Sequence, residues 1–284
     1  MRVGEKLLEL ARGRGARVIF AVGTGKGVGK TTALRAIYEA ACRARLRVGL
    51  ASIGPKLGLQ LQPDTLFVTA RSLLPRSPAS EILKTTRLES PVGPLLFART
   101  VYGGRYDLAG PSSASGLREV IEELSAGCDV TLVDGAIDRL ATLASAAGAI
   151  VLSCGAAAAN SAPEAVEEVA ALAARLRVPA CDPQADAIDL EGALTAPTAA
   201  AFIAARESRQ IVVRDATQIV ISGRALSEAL ARLRVRCRYP LDVVATTVCA
   251  VAPERSFDPI AFLHDVAAAT SLPAFDVFAG KAAA

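Results

Sequence analysis

The sequence predicts an α/β fold: a doubly wound, mostly parallel sheet with helices on both faces, followed by a C-terminal α/β extension. Three observations predict it. After Arg17, Val18-Ile19-Phe20-Ala21-Val22 is an unbroken apolar run, the pattern of a strand buried on both faces in a parallel sheet. It ends in a glycine-rich turn that opens onto residues 30–43, where Leu34, Ile37, Tyr38 and Ala41 recur at helical spacing. A second apolar segment follows at 47–52, and strand–loop–helix–strand is the opening unit of such a sheet.

The remaining elements follow in order. Residues 4–12 form an expected lead-in helix with Leu7, Leu8 and Ala11 on one face. Further strands are expected at 65–70, 94–101, 129–134 and 149–153, and helices at 113–126 and 163–176, the latter with Pro163 in its first turn. The Ala/Gly-rich stretch 140–159 reads as a helix plus a buried strand, and the Gly/Pro/Ser-rich segments 53–63 and 102–115 read as loops. An acidic segment at 179–197, with Asp182, Asp186, Asp189 and Glu191, reads as a connector. It divides the chain into a nucleotide-sized domain, 1–180, and an extension or small lobe, 181–284. The latter carries an expected helix at 198–206, strands at 210–213 and 218–222, a helix at 225–233, a strand at 242–251 and a helix at 259–270. No internal repeat is visible.

Composition narrows the function. With 284 residues, 52% of them hydrophobic, the chain can bury a sizeable core and is not of disordered composition. Aromatic residues at 4% argue against a stacking platform for single-stranded nucleic acid. The 32 basic residues, mostly Arg, are scattered and leave a net charge of only +4, so no basic stripe for a duplex is legible. No run reaches the roughly 18 apolar residues of a membrane span. The six cysteines are far apart and His264 is the only histidine, so metal-ligand spacing is absent and the thiols read as small buried hydrophobes. The N-terminus lacks the apolar core of a signal peptide, and the expectation is a cytoplasmic protein with no nucleic-acid or membrane partner.

The chemistry is concentrated in Gly23-Thr24-Gly25-Lys26-Gly27-Val28-Gly29-Lys30-Thr31-Thr32, between the first strand and the first long helix. Glycines allow a tight turn whose N–H groups face phosphate oxygens, and the following helix adds its positive end. Lys30 is placed to reach the β- and γ-phosphates, and the Thr31 hydroxyl to ligate Mg²⁺. In the strict pattern the first glycine would fall at Thr24; here it falls one place earlier, at Gly23. The partner carboxylate is expected at Asp134, which ends the apolar run 129–134 and is followed by Gly135 and Ala136. An acid there anchors Mg²⁺ at the C-terminal edge of a parallel sheet, or caps a helix starting at Ile137. Asp138 and Arg139 follow within a turn, Arg139 as a γ-phosphate or partner sensor or as half of a surface ion pair. An Asn-Lys-x-Asp motif for guanine is absent, which favours ATP.

The spacing of Gly23, Thr24, Val28, Gly29, Lys30 and Thr31 resembles the phosphate loop of dethiobiotin synthetase, within the class of P-loop NTPases that includes the MinD/ParA partitioning ATPases. Many partitioning members carry an extra loop lysine that acts across a homodimer; here Lys26 stands one place later, with a solvent-facing lysine as the alternative. In dethiobiotin synthetase a lysine after the second strand contacts substrate and phosphate, and Lys56 is close to that place in a loop that does not match. A narrower resemblance joins several segments in order. These are 22–32, Ser52-Ile53-Gly54, Val68-Thr69-Ala70 with Ser72-Leu73-Leu74, Ala109-Gly110-Pro111, Val133-Asp134-Gly135-Ala136-Ile137-Asp138-Arg139 and Gly155-Ala156-Ala157. Together they are similar to the P-loop reactivase subunit of lysine 5,6-aminomutase and D-ornithine aminomutase. The chain departs from that family at Pro55-Lys56-Leu57, where an Asp-Gly-Glu is expected, and at Cys249, where an Asn-Pro step is expected.

The resemblance implies an ATP-binding accessory subunit that helps to reactivate a cobalamin-dependent mutase. Two alternatives stay open at this stage: an ATP-dependent small-molecule ligase or kinase like dethiobiotin synthetase, and a nucleotide-binding scaffold that does not hydrolyse.

Overall fold

The computed structural model describes residues 2–75, 79–135 and 148–283. They form a mixed α/β architecture in which helices accompany sheets whose strands pair mostly in parallel. The chain divides into two compact units. One holds the residues up to Val22, Lys30–Val151 and Val277–Gly280; the other holds Gly23–Gly29, Leu152–Asp276 and the residues from Lys281 onward.

In the first unit the order is α1 (Val3–Gly13), β1 (Val18–Gly23), α2 (Lys30–Arg43), β2 (Val48–Ser52), β3 (Lys56–Leu61), β4 (Leu66–Ala70), β5 (Ser80–Ser90), β6 (Gly93–Thr100), β7 (Gly104–Leu108), α3 (Ala114–Gly127) and β8 (Val130–Asp134), with the start of β9 (Gly148–Gly155). Its main sheet runs β1-β8-β2-β4-β6-β5. β8 lies between β1 and β2 and is parallel to both, with Asp134 opposite Ala21 on one side and Ser52 on the other. All residues of β1, β2 and β8 are buried, which is why these segments are apolar without alternation. Burying side chains such as Phe20, Leu50 and Leu132 contributes about 1.5–3 kcal/mol each. Arg17, just before β1, donates from Nη2 to the Ser125 and Cys128 carbonyls at 3.0 and 2.7 Å, placing a cation at the negative end of α3. Helices α1 and α2 approach so closely that a Cβ on Gly4 would fall 2.0 Å from the Ala36 carbonyl oxygen.

The second unit contains the rest of β9, then α4 (Ala162–Leu176), β10 (Ala187–Asp189), β11 (Leu194–Thr195), α5 (Ala196–Ala204), β12 (Gln210–Val213), β13 (Ile219–Val220), α6 (Gly223–Arg232), β14 (Arg234–Cys237), β15 (Asp242–Cys249), β16 (Val251–Ala252), β17 (Arg255–Ser256), α7 (Pro259–Thr270), β18 (Ala274–Asp276) and β19 (Lys281–Ala283). The strands run β9-β15-β18-β19 in one sheet, while β10-β12-β14 form a separate parallel one. Ser153 on β9 and Thr247 on β15 share a buried hydroxyl–hydroxyl hydrogen bond of 2.8 Å. Two of these helices start on side-chain caps: at α4 Ser161 Oγ accepts from the Glu164 N–H, and at α7 Asp258 Oδ1 accepts from the Ile260 and Ala261 N–H groups. α7 stops where Ser271 turns left-handed, at φ 52°.

Several expectations need correction. Segments 53–63 and 102–115 contain more than loops: β3 and β7 pair antiparallel, with Leu59 opposite Tyr106. The ribbon is held by Tyr106, whose ring packs on Phe67 at 5.3 Å between centroids. β5 was not expected at all. It is the edge strand, mostly exposed, and its register on β6 shifts twice, so it carries no clean apolar alternation. The connector at 179–197 includes β10 and β11, and the compositional boundary at 180 falls inside the second unit. The helical part expected within 140–159 lies mostly outside the described residues.

Two consequences can be measured. A Cβ on Gly110 would fall 1.6 Å from the Ser52 carbonyl oxygen; Gly110→Ala is therefore expected to cost about 3 kcal/mol in urea denaturation, and an unchanged midpoint would contradict this packing. Asp129 accepts from the Arg47 guanidinium at 3.0 Å and from its backbone N–H at 2.9 Å, and these bonds hold the carboxyl down at about 2. A lowered carboxyl stabilises above its unfolded value, near 4, and loses that stabilisation as pH falls towards 2. Asp129→Asn should thus be less stable than the unchanged chain at pH 7, with the two converging near pH 2.

Candidate functional site

The glycine-rich turn belongs to the second unit, and its shape is set by what backs it. The Thr24 N–H donates to the Ser153 carbonyl at 3.0 Å, tying the start of the turn to β9. A Cβ on Gly25 would fall 2.7 Å from the Ala158 Cβ, and one on Gly27 would fall 3.1 Å from the Ala157 Cβ. Glycine is needed at 25 for close approach. It is needed at 27 for a second reason, a φ of +79°. Gly29 also has a positive φ, +93°, while Lys26, Val28 and Lys30 do not. Alternation of φ sign turns successive N–H groups toward one side, the geometry of an anion nest. Val28 is buried and anchors the turn from below; Lys26 is exposed.

The first unit supplies the residues that follow. α2 begins at Lys30, and Thr31 lies in its first turn. Thr31 Oγ1 donates to Asp134 Oδ2 at 3.5 Å. The carboxylate is brought there by the parallel register of β1 and β8, which puts Asp134 at the C-terminal end of its strand opposite Ala21. Its position is fixed by backbone bonds on both sides: the Ile53 N–H donates to the Asp134 carbonyl at 2.9 Å, and the Gly135 N–H to the Ala21 carbonyl at 3.2 Å. Asp134 is only 8% exposed. A hydroxyl and a carboxylate are hard oxygen donors, which suits Mg²⁺ held by one or two protein groups together with substrate phosphates. Among the described residues no group of three or more His, Cys, Asp and Glu side chains could hold a metal by itself.

The structure thus brings Thr31 and Asp134 together, with Lys30 adjacent in the chain, and gives residues 23–29 a nest-like backbone. Thr32 is half-buried on α2. Ser52 does not face the carboxylate through its hydroxyl, which donates to the Gly54 carbonyl at 2.6 Å. The Ala109-Gly110-Pro111 turn packs on this same Ser52–Gly54 bend, as the contact of Gly110 with the Ser52 carbonyl requires. Lys56 opens β3, with Leu108 as its backbone partner. Ala136, Ile137, Asp138 and Arg139 lie outside the described residues. Sequence reasoning singled out Gly155-Ala156-Ala157 but not the backing of the turn by Ala157 and Ala158, which is a contact made across the fold.

A cavity of about 730 Å³ lies at the far end of α2, and its lining includes Arg35, Arg43, Arg45 and Arg47 together with Glu39 and Asp64. Three of these arginines already pair with carboxylates, Arg35 with Glu39, Arg43 with Glu5 and Arg47 with Asp129. The cavity therefore has little unbalanced charge to offer an anion. No protein-family model, curated protein or solved structure matches the chain.

The cysteines behave as packing residues. Cys128, Cys154, Cys237 and Cys249 are buried, and Cys42 and Cys181 are half-buried. Burial raises the Cys128 thiol to about 11 and that of Cys237 to about 12, and also pushes up Cys42, Cys154 and Cys249. A thiol reagent at pH 8 should therefore modify Cys181 first and Cys42 more slowly in the native chain, and all six only in denaturant. Rapid native modification of Cys154 would contradict the packing.

Proposed function

We propose that residues 23–32 and Asp134 bind Mg²⁺–ATP and that the chain is a P-loop NTPase, a slow ATP hydrolase acting as an accessory subunit of a partner enzyme. The observation that carries this reading is the 3.5 Å contact between Thr31 Oγ1 and Asp134 Oδ2, on a helix entered through a turn of alternating φ sign. The amides of residues 25–30 donate to phosphate oxygens, assisted by the positive end of α2. Lys30 offers a point charge to the β- and γ-phosphates. Thr31 and Asp134 would hold the Mg²⁺, supplying a hydroxyl and a carboxylate as its protein oxygen donors. Bound Mg²⁺ would offset the negative charge of the β- and γ-phosphates.

An accessory role is supported by what surrounds the carboxylate. The bend at Ser52–Gly54 follows β2, and its Ile53 is bonded to Asp134, so a change at the metal is felt by that bend and by the Gly110 turn packed on it. Loops that contact a γ-phosphate and relax on its loss form a switch that a partner can read. The partner class suggested by the sequence resemblance is a cobalamin-dependent aminomutase.

Calorimetry tests the binding step. The unchanged chain should bind ATP in the presence of Mg²⁺, and Lys30→Ala should weaken this roughly ten- to hundred-fold. Asp134→Asn should remove most of the Mg²⁺ dependence while leaving metal-free nucleotide binding largely intact. Absence of any ATP binding by the unchanged chain would overturn the reading. Hydrolysis should be slow alone and faster with the mutase; turnover that instead depends on an added small carboxylic acid would select a ligase.

A further inference from the structure

Resting on the reading of residues 23–29 as a phosphate loop, we propose that Arg255 is its positioning residue. On this view the β16–β17 hairpin is the point from which the geometry of the loop is regulated. One line of contacts, all within the second unit, connects the hairpin to the loop. A Cβ on Gly25 would fall 2.7 Å from the Ala158 Cβ, and one on Gly27 3.1 Å from the Ala157 Cβ, so both glycines lie tightly against these alanines. The position of the glycines is therefore set by the position of the 156–160 segment. That segment leaves β9 with the Ala156 N–H donating to the Cys249 carbonyl at 2.9 Å, and turns through an Ala158 N–H bond to the Gly155 carbonyl at 3.1 Å. Its far end is held by side chains. Arg255 Nη1 donates to the Ala159 carbonyl and, at 3.3 Å, to Asn160 Oδ1. On the opposite side Glu164 accepts from the Asn160 N–H at 2.8 Å.

The two restraints differ in what lies behind them. Glu164 belongs to α4 and ties the segment to its own helix. Arg255 belongs to a short hairpin in which Ala252 is opposite Arg255 and Val251 opposite Ser256. The foot of the hairpin is fixed: the Phe257 N–H donates to the Ala250 carbonyl at 2.8 Å, and the Phe257 ring meets Phe262 of α7 edge-on at 5.1 Å. Its tip, Pro253 and Glu254, is exposed to solvent. A force applied at the hairpin passes through a charge-assisted hydrogen bond into the 156–160 segment, and from there, by hard contact, into Gly25 and Gly27.

The test uses the full chain and two readouts. Amide hydrogen exchange of residues 24–29, without nucleotide, reports the strut; calorimetry with Mg²⁺–ATP reports the loop. Arg255→Ala should raise exchange in 24–29 and 156–160 roughly ten-fold and weaken Mg²⁺–ATP by a similar factor, with the urea midpoint unchanged. Arg255→Lys, which keeps one donor for the Ala159 carbonyl, should restore most of both, and Arg255→Gln serves in place of the alanine variant if that fails to fold. Unchanged exchange at 24–29 would overturn the role of Arg255 even if ATP binds normally. So would an increase spread evenly over the second unit. Failure of the unchanged chain to bind Mg²⁺–ATP would instead overturn the phosphate-loop reading, while the exchange result would still decide whether Arg255 holds the turn.

Discussion

The parallel pairing of β1 with β8 is the constraint on which the site depends. It fixes Asp134 opposite Ala21, so the carboxylate ends its strand at the height where β1 itself is about to turn. Because α2 follows that turn directly, Thr31 meets the carboxylate by register. A shift of one residue in β8 would reverse every side chain of the strand. It would turn Asp134 to the opposite face of the sheet and bring Val133 to the place beside Thr31. The continuous burial of β1, β2 and β8 makes such a slip costly, so the hydrophobic core and the placement of one acid share a cause.

A second constraint is steric and acts on the turn. The glycines at 25 and 27 are required by the alanines behind them, and Gly27 also by its backbone angle. The absence of Cβ atoms at these positions lets the backbone of the turn lie directly against those alanines. The same absence leaves it with little means of holding its own shape, which has to come from Ser153, from buried Val28 and from the 156–160 segment.

Much of this was legible in the sequence because it rests on local pattern. The apolar run 18–22, the helical spacing of Leu34, Ile37, Tyr38 and Ala41, and the strand ending in Asp134 each announce an element whose burial is uniform or strictly periodic. α7 runs from Pro259 to Thr270, where the spacing placed it. The missed elements lack that uniformity. β5 is exposed and irregular in register. β3 and β7 are stabilised by each other and by contacts such as Tyr106 on Phe67, so neither segment is strand-like alone. β14 has two inward residues, Val235 and Cys237, on either side of Arg236, and is only four residues long. In the site, residue type and spacing revealed the donors. They could not reveal the contacts that Ala157, Ala158 and Arg255 make across the fold.

The most direct measurement of the central claim is a structure of the chain with Mg²⁺ and a non-hydrolysable ATP analogue. The account predicts phosphate oxygens within hydrogen-bonding distance of the amides of residues 25–30, with Thr31 Oγ1 and the Asp134 carboxylate as the protein oxygen donors around the metal. An analogue bound in the arginine-lined cavity at the far end of α2, or a metal with neither Thr31 nor Asp134 in its surroundings, would contradict it.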